Sequence, residues 1–331
     1  MSTDAASPER SFAGWTPVHI FQHRPQPEVL WSRLGVQRFD DPFFAQTVNA
    51  ALHSPLARLL QRTTSLDELV AASEREPAVE PAGFIFHVTR CGSTLVSQMF
   101  ARMPRVISIS EAQPLTAVAE APQLSQEDRR RAFRALIRLY GRKVNGGEIG
   151  SVFKFSPRET FAWRAIVEIF PQVPRIVLHR DPAEVLVSNL GQVSEIALPG
   201  IVQPAALGTP PRPLATNEDY AAFVFSRIFA HAAEVARVQG SLTVNYTDLP
   251  GAVESLIAPH FGIALDDADR AAMREAARLY AKDATRTAMF APDSAAKQAE
   301  ADASILEHIA KWFEASYREL RALTEASRHP G

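Results

Sequence analysis

The chain has 331 residues, of which 46% are hydrophobic and 22% charged, a composition typical of a folded protein and not of a disordered or fibrous one. A formal net charge of −2 argues against a general nucleic-acid-binding protein, which needs a broad basic surface. The single cysteine, Cys91, excludes an intrachain disulfide and a multi-cysteine zinc site.

The first 80 residues favour helices. Residues 1–15 form a polar tail without the apolar stretch of a signal peptide, and residues 18–72 follow a mostly helical pattern. Four leucines of that pattern fall on one helix face: Leu52, Leu56, Leu59 and Leu60. No apolar run reaches the roughly 18–20 residues of a membrane span. We therefore expect a helical preface, residues 1–80, on a cytoplasmic protein with no membrane partner.

From residue 81 onward, apolar strand patterns alternate with helical ones. Strands are predicted at 83–88, 106–109, 150–155, 175–179 and 242–246, and helices lie between them. Such alternation predicts an α/β fold with a P-loop-like parallel sheet flanked by helices, over residues 81–265. Ala-rich helical patterns then predict a C-terminal extension, residues 266–331, packed on this core.

The first strand-to-helix junction has the composition of an anion site. Arg90 supplies a planar cation, Gly92 allows close backbone approach, and Ser93 and Thr94 add hydroxyl donors. The helix predicted from Thr94 adds N–H groups that attract anions. The junction is not a Walker A loop, which needs two glycines and a lysine. A cysteine phosphatase loop would place an arginine six positions after the cysteine, where Ser97 stands. An ordinary turn with a surface arginine is the alternative.

A second junction follows the strand predicted at 175–179. Arg180 lies at the strand's carboxyl end, where open α/β sheets bind ligands, and Ser188 lies two helical turns further on. The triplet that begins at His179 is similar to a kinase catalytic loop, but that loop needs Asn where Leu186 stands. The alternative is that Arg180 and Asp181 merely pair with each other to cap the helix.

Taken together, these junctions resemble the PAPS-dependent sulfotransferase family, in its branch with an arginine in the first loop, which includes bacterial sulfotransferase-family proteins and tyrosylprotein sulfotransferases. The family's first motif reads roughly Pro-Arg-Ser-Gly-Ser/Thr-Thr-Leu, and residues 89–95 read Thr-Arg-Cys-Gly-Ser-Thr-Leu. Its second motif places a serine eight positions after an arginine, as Arg180 and Ser188 do. Residues 152–158 and 244–263 resemble two further family segments in the same order, so the resemblance covers residues 82–265. Cys91 and Asn245 depart from the family pattern, and no histidine follows Lys154.

The resemblance implies a donor site for PAPS or its product PAP. Arg90 and the loop residues Cys91, Gly92, Ser93 and Thr94 would bind the 5′-phosphosulfate. Arg180 and Ser188 would bind the 3′-phosphate. The remaining donor contacts that it implies come from three residues: Tyr246, Ser294 and Lys297. For Ser294 and Lys297, exposure on the surface of an Ala-rich helix is an equal alternative.

The resemblance also implies a catalytic set, Glu111, Lys154 and Arg90, that acts without a metal ion. Glu111 would be the general base, and Lys154 would neutralise the oxygen that leaves with the donor. As alternatives, Glu111 is a solvated loop carboxylate or the partner of a nearby arginine, and Lys154 is an exposed residue at a strand end. Cys91 is interpreted as a small residue filling the turn, with a reactive thiol as the alternative, and His87 as a core histidine.

The acceptor and the oligomeric state stay open. A hydroxyl on a small molecule, a peptide tyrosine or a sugar is compatible with the same donor site. The loop over residues 191–215 and four aromatic residues are candidates for shaping an acceptor pocket, although aromatics at such spacing more often belong to a core: Trp15, Trp31, Phe43 and Phe44. Two other functions compete, namely a P-loop kinase-like phosphotransferase that uses a nucleoside triphosphate, and an inactive nucleotide-binding protein on the same fold.

Overall fold

The computed structural model describes residues 11–22, 26–34, 38–211, 213–279 and 294–328. Its strands are β1 (Thr16–Phe21), β2 (Glu28–Ser32), β3 (Gln61–Ser65), β4 (Pro81–His87), β5 (Val106–Ser110), β6 (Gly150–Lys154), β7 (Arg175–His179) and β8 (Ser241–Asn245). Its α-helices are α1 (Phe44–Leu52), α2 (Pro55–Leu59), α3 (Leu66–Arg75), α4 (Ser93–Ala101), α5 (Gln113–Glu120), α6 (Gln126–Tyr140), α7 (Trp163–Ile169), α8 (Pro182–Gly191), α9 (Pro204–Leu207), α10 (Asn217–Ala236), α11 (Ala258–His260), α12 (Asp267–Arg278), α13 (Ser294–Ala299), α14 (Ala303–Trp312) and α15 (Glu314–Arg328).

Five strands form a parallel sheet in the order β5-β6-β4-β7-β8. Every residue of β5, β6 and β7 is buried, as expected for parallel strands that are covered on both faces. The predicted α/β class, with a parallel sheet flanked by helices, is confirmed.

Helical segments cover both faces of this sheet. Neighbouring residues on a strand point to opposite faces, and on β4 Gly83 lies against the ring of Phe261, which also contacts Phe100 of α4. Phe84 faces the other way, with its ring centroid 5.1 Å from that of Phe155. The carboxyl ends of the strands are left as the edge from which polar loops emerge.

The prediction of a helical preface over residues 1–80 is wrong. Within the described residues this region contains an antiparallel sheet, β1-β2-β3, together with helices α1 to α3. Trp31 on β2 is fully buried and donates a hydrogen bond to Thr64 on β3, a pairing across 33 residues that helical periodicity cannot reveal. The prediction of an apolar helix face formed by four leucines is also wrong, because Leu56 and Leu59 are exposed, Leu59 at 81%. Residues 1–10 of the predicted tail lie outside the described residues.

After residue 266 the described elements are helices, as predicted, and residues 280–293 and 329–331 of that extension lie outside the described residues. Helix α15 packs along β8 and reaches the end of β7, where Thr324 contacts Nε2 of His179 at 2.7 Å. Burial lowers the pKa of His179 to about 4, so this histidine is neutral and structural. In the parts of the chain that are described, no helix has the length and apolar character to cross a membrane.

Candidate active site

A cleft of about 770 Å³ opens at the carboxyl edge of the parallel sheet. Its walls include residues that follow each of the five strands, which is the usual position of a ligand site in an open α/β sheet. These residues are Glu111 after β5, Ser156 after β6, Thr89 to Thr94 after β4, Arg180 after β7 and Tyr246 after β8. Of the predicted donor-site residues, Ser294 alone is absent from the lining.

The loop after β4 is built from left-handed backbone. Thr89, Arg90 and Gly92 have φ values of 67°, 50° and 82°, and α4 begins at the next residue, Ser93. Such values are uncommon for residues other than glycine and mark a loop that its surroundings hold in place. Loops of this kind can direct consecutive N–H groups to one point, which suits an anion.

Gly92 is required here for two reasons. Its φ disfavours any side chain, and a Cβ at this position would lie 2.6 Å from Cδ1 of Leu249 and 3.0 Å from the ring of Tyr246. The Tyr246 side chain, which follows β8, therefore packs directly against the first loop. That contact joins the two phosphate sites that the sequence predicts.

The side chains of this loop take different roles. Arg90 lines the cleft, and its guanidinium donates a hydrogen bond to the carbonyl of Gln192 across the opening, at 3.0 Å. Cys91 is fully buried, and burial raises the pKa of its thiol to about 11. The thiol is therefore protonated at neutral pH, which agrees with the interpretation as a filler of the turn and disagrees with the reactive alternative.

Lys154 and Glu111 form an ion pair at the floor of the cleft. Nζ of Lys154 lies 2.6 Å from Oε1 of Glu111 and donates to Oγ1 of Thr94 at 3.3 Å. The Lys154 side chain is fully buried, so the alternative of an exposed lysine is wrong, whereas the Glu111 side chain is 25% exposed and lines the cleft. Lys154 itself does not line the cleft. Its ammonium contacts three residues that do line it: Thr94, Glu111 and Phe43.

Glu111 also has the backbone of a constrained residue. Its φ is 52°, and its N–H donates to the carbonyl of Lys154 at 2.8 Å. Nε2 of His87 lies 3.8 Å from its carboxylate, and Nδ1 of His87 accepts a hydrogen bond from the N–H of Thr89. His87 is buried, as the interpretation of a core histidine requires, yet it connects the first loop to Glu111.

At the second junction, Arg180 is held on several sides. It is 3% exposed; its Nε donates to Glu184, and Nη1 donates to the carbonyl of Arg90 at 3.1 Å. The ring of Tyr246 lies under the guanidinium, 3.9 Å from its carbon to the ring centroid. Asp181 caps α8 separately, through the N–H of Ala183, so the alternative in which Arg180 pairs with Asp181 is wrong.

Helix α13 lies over this second junction. Ser294 accepts a hydrogen bond from Nη2 of Arg180 at 3.3 Å and donates one to Glu184 at 2.8 Å. Lys297 donates to Oγ of Ser188 at 3.3 Å, and both side chains line the cleft. The structure thus brings Ser294 and Lys297 to Arg180 and Ser188, more than 100 residues away in sequence.

Another part of the cleft lining contains apolar as well as polar residues. Apolar residues there are Phe43, Ala45, Pro157, Ile196 and Ile201. Ile196 and Ile201 come from the 191–215 loop, which was a candidate for shaping an acceptor pocket. Of the four aromatic candidates, Phe43 is in the lining, Trp31 and Phe44 are in the core, and Trp15 is partly buried against the core.

Glu159 is a fully buried carboxyl next to the cleft lining. Burial raises the pKa of Glu159 to about 7, although Glu159 accepts hydrogen bonds from Thr116 at 2.6 Å and from the N–H of Ser156 at 2.8 Å. Thr116 and Ser156 line the cleft next to Glu111. The Ser156 hydroxyl also donates to Glu159, so Glu159 fixes the hydroxyls of Thr116 and Ser156 without lining the cleft itself.

Sequence reasoning missed Glu159 and Glu184. For Glu184 a signal existed, because it follows Arg180 by four residues, the spacing at which helical side chains of opposite charge pair. For Glu159 the only signal was its place at the start of a helix. Neither position could be recognised as buried from the sequence.

No protein-family model matches the chain, and no curated protein is similar to it in sequence. Among solved structures, it is similar to sulfotransferase STF1 from Mycobacterium tuberculosis, with 17% identity over 62% of this chain and 73% of that one and a TM-score of 0.42. It is similar to a sulfotransferase from Alicyclobacillus acidocaldarius (14% identity, 76% and 100% of the two chains, TM-score 0.42) and to STF9 from Mycobacterium avium (14%, 80% and 83%, TM-score 0.44).

Proposed function

We propose that this chain is a sulfotransferase that moves a sulfuryl group from PAPS to a hydroxyl of a small-molecule or peptide acceptor. The observation that carries the proposal is one cleft that is lined by two strand-to-helix junctions, each with an arginine, the loop of residues 89–94 and the pair Arg180 and Ser188. A nucleotide with phosphates at both its 5′ and 3′ positions needs two such sites. A nucleoside triphosphate, with its phosphates in one row, leaves the second site unexplained.

In this proposal the first loop holds the 5′-phosphosulfate. The N–H groups of Gly92, Ser93 and Thr94 lie at the start of α4, where the helix dipole favours negative charge. Arg90 adds a permanent cation from the cleft wall. Arg180, Ser188 and Lys297 hold the 3′-phosphate, and Tyr246 packs beside both sites.

Transfer then proceeds in line. The acceptor oxygen forms a bond to sulfur while the bond from sulfur to the bridging oxygen breaks, and PAP leaves with that oxygen. Glu111 takes the proton of the acceptor hydroxyl, and the ammonium of Lys154 neutralises the charge that develops on the bridging oxygen. We propose that Arg90, Lys154 and the loop N–H groups supply this charge stabilisation without a metal ion.

The experiment that tests the proposal is a thermal-shift titration with PAP, beside ATP and ADP with and without magnesium. A ligand that binds only the folded state stabilises it by about 2.7 kcal/mol at a hundredfold excess over its dissociation constant. We expect a large shift with PAP that is lost in Arg180→Ala. A shift that occurs only with ATP and magnesium would contradict the proposal and favour the kinase-like alternative.

A further inference from the structure

Glu184 is a buried carboxylate at the centre of the second junction. It is 2% exposed, lies one helical turn after Arg180, and does not line the cleft. Burying a carboxylate is costly unless it is paired and hydrogen-bonded. The contacts of Glu184 account for its burial and also indicate what it does.

One set of contacts fixes the orientation of Arg180. Oε2 of Glu184 accepts a hydrogen bond from Nε of Arg180, at the edge of the guanidinium. The ring of Tyr246 covers the guanidinium face, and the carbonyl of Arg90 holds Nη1. A planar cation held at its edge and on its face loses little conformational entropy when it binds a phosphate.

A second set of contacts attaches α13. The same carboxylate accepts hydrogen bonds from Oγ of Ser294 and from Nε2 of Gln298, each at 2.8 Å. Lys297, between them on α13, reaches Ser188, the other predicted 3′-phosphate ligand. One carboxylate thus connects the cation of the second junction to the helix that carries a further cation.

We propose that Glu184 is a positioning residue that couples the orientation of Arg180 to the docking of α13, so that donor affinity depends on a carboxylate outside the cleft. The identity of the donor rests on the proposed function above, but the coupling does not. Charge alone predicts the opposite effect, because a carboxylate next to a phosphate site repels the ligand. The sign of the change in affinity therefore separates positioning from simple electrostatics.

The first measurement is the dissociation constant of PAP by isothermal titration calorimetry, for the full chain and for Glu184→Gln. Loss of hydrogen bonds to a charged group predicts binding weaker by about tenfold or more. The matched control is Glu300→Gln, which removes one carboxylate just after α13 and is expected to leave the affinity unchanged. Unchanged or tighter binding by Glu184→Gln would overturn the proposal.

A second measurement follows α13 without any ligand. Hydrogen exchange of peptides covering residues 294–300 is expected to be faster in Glu184→Gln, in Ser294→Ala and in Gln298→Ala than in the unsubstituted chain. Equal exchange in all four would overturn the coupling. If the unsubstituted chain does not bind PAP, the proposed function fails, and this measurement still decides the coupling.

The two α13 variants test the same contacts if Glu184→Gln does not fold. Gln298 is exposed and Ser294 is partly exposed, so their substitution is expected to leave the fold intact. Each is expected to weaken PAP binding by about threefold, with an unchanged unfolding midpoint. In turnover assays we expect the KM for PAPS to rise while kcat stays within about twofold. A fall in kcat at unchanged KM would show that Glu184 acts on the transfer step instead and would contradict a positioning role.

Discussion

The two strand-to-helix junctions of the cleft differ in what forms them. After β4, left-handed backbone at Thr89, Arg90 and Gly92 leads into α4, and in the proposed function the loop N–H groups would bind the anion. After β7, the backbone enters α8 with Pro182 in its first turn, and the site consists of side chains around Arg180. The first junction is specified by backbone conformation and the second by a network of side chains.

This difference determines which substitutions each junction tolerates. A site made of N–H groups depends on the loop's conformation, so a residue that must be glycine matters more than any one polar side chain. A site made of a buried arginine depends on every group that orients it, including groups that do not touch the ligand. Substitutions at the two junctions test this contrast between a backbone site and a side-chain site. Glu111, which belongs to neither junction, provides the reference.

Glu111→Gln is expected to have the largest effect, because neither junction supplies a base. Removing a general base typically lowers turnover by about 10²–10⁴-fold, so we expect kcat to fall in that range while PAP affinity is retained. Initial rates at saturating PAPS and calorimetry with PAP measure the two quantities. Glu195→Gln removes another carboxylate of the cleft lining and is the control. Full turnover by Glu111→Gln would show that the base assignment is wrong.

Replacing each arginine by lysine compares the junctions directly. Arg180→Lys keeps the charge but loses the planar group that Glu184, the Arg90 carbonyl and Ser294 orient. Hydrogen bonds to charged groups contribute about 1.5–3 kcal/mol, so we expect PAP affinity to fall by about 10- to 100-fold.

Arg90→Lys is the matched substitution at the first junction. The Arg90 guanidinium donates to the Gln192 carbonyl. In the proposed complex the phosphate of PAP would still meet the loop N–H groups. We expect PAP affinity to change by less than about threefold, as measured by the same titration. Equal losses for the two variants would contradict the contrast between backbone and side-chain sites.

Gly92→Ala tests the backbone junction. The new Cβ would adopt a strained φ and would approach Leu249 and Tyr246, so we expect a loss of about 1–3 kcal/mol in the free energy of unfolding together with loss of PAP binding. Gly146 has a φ of 79° with open space around it. In Gly146→Ala the free energy of unfolding therefore falls because of the strained φ alone. Urea unfolding of both variants measures the difference. An equal loss of stability, with PAP binding retained at position 92, would contradict the packing argument.

The sequence was sufficient to predict the parallel sheet and the edge of that sheet at which the cleft lies. Buried parallel strands are continuous apolar runs, and residues that follow them meet at one edge, which brings Arg90, Glu111 and Arg180 together. The antiparallel preface was not predictable in this way, because a polar strand such as β3 is defined by its partner and not by its own pattern. Similarly, the spacing of Glu184 was visible, but its contact with Ser294, 110 residues later, depends on how the chain returns to α8.

Ser188→Ala is expected to have the smallest effect, and it tests how far the second junction depends on groups that do not orient Arg180. Ser188 lies two turns into α8, lines the cleft and accepts a hydrogen bond from Lys297. A single neutral hydrogen bond contributes about 0.5–1.5 kcal/mol, so we expect PAP affinity to fall by about 2- to 10-fold in calorimetry. Ser194→Ala, at another serine of the lining, is the control and is expected to bind PAP normally. A loss as large as that of Arg180→Lys would mean that Ser188 and Lys297, and not the oriented guanidinium, dominate the second junction.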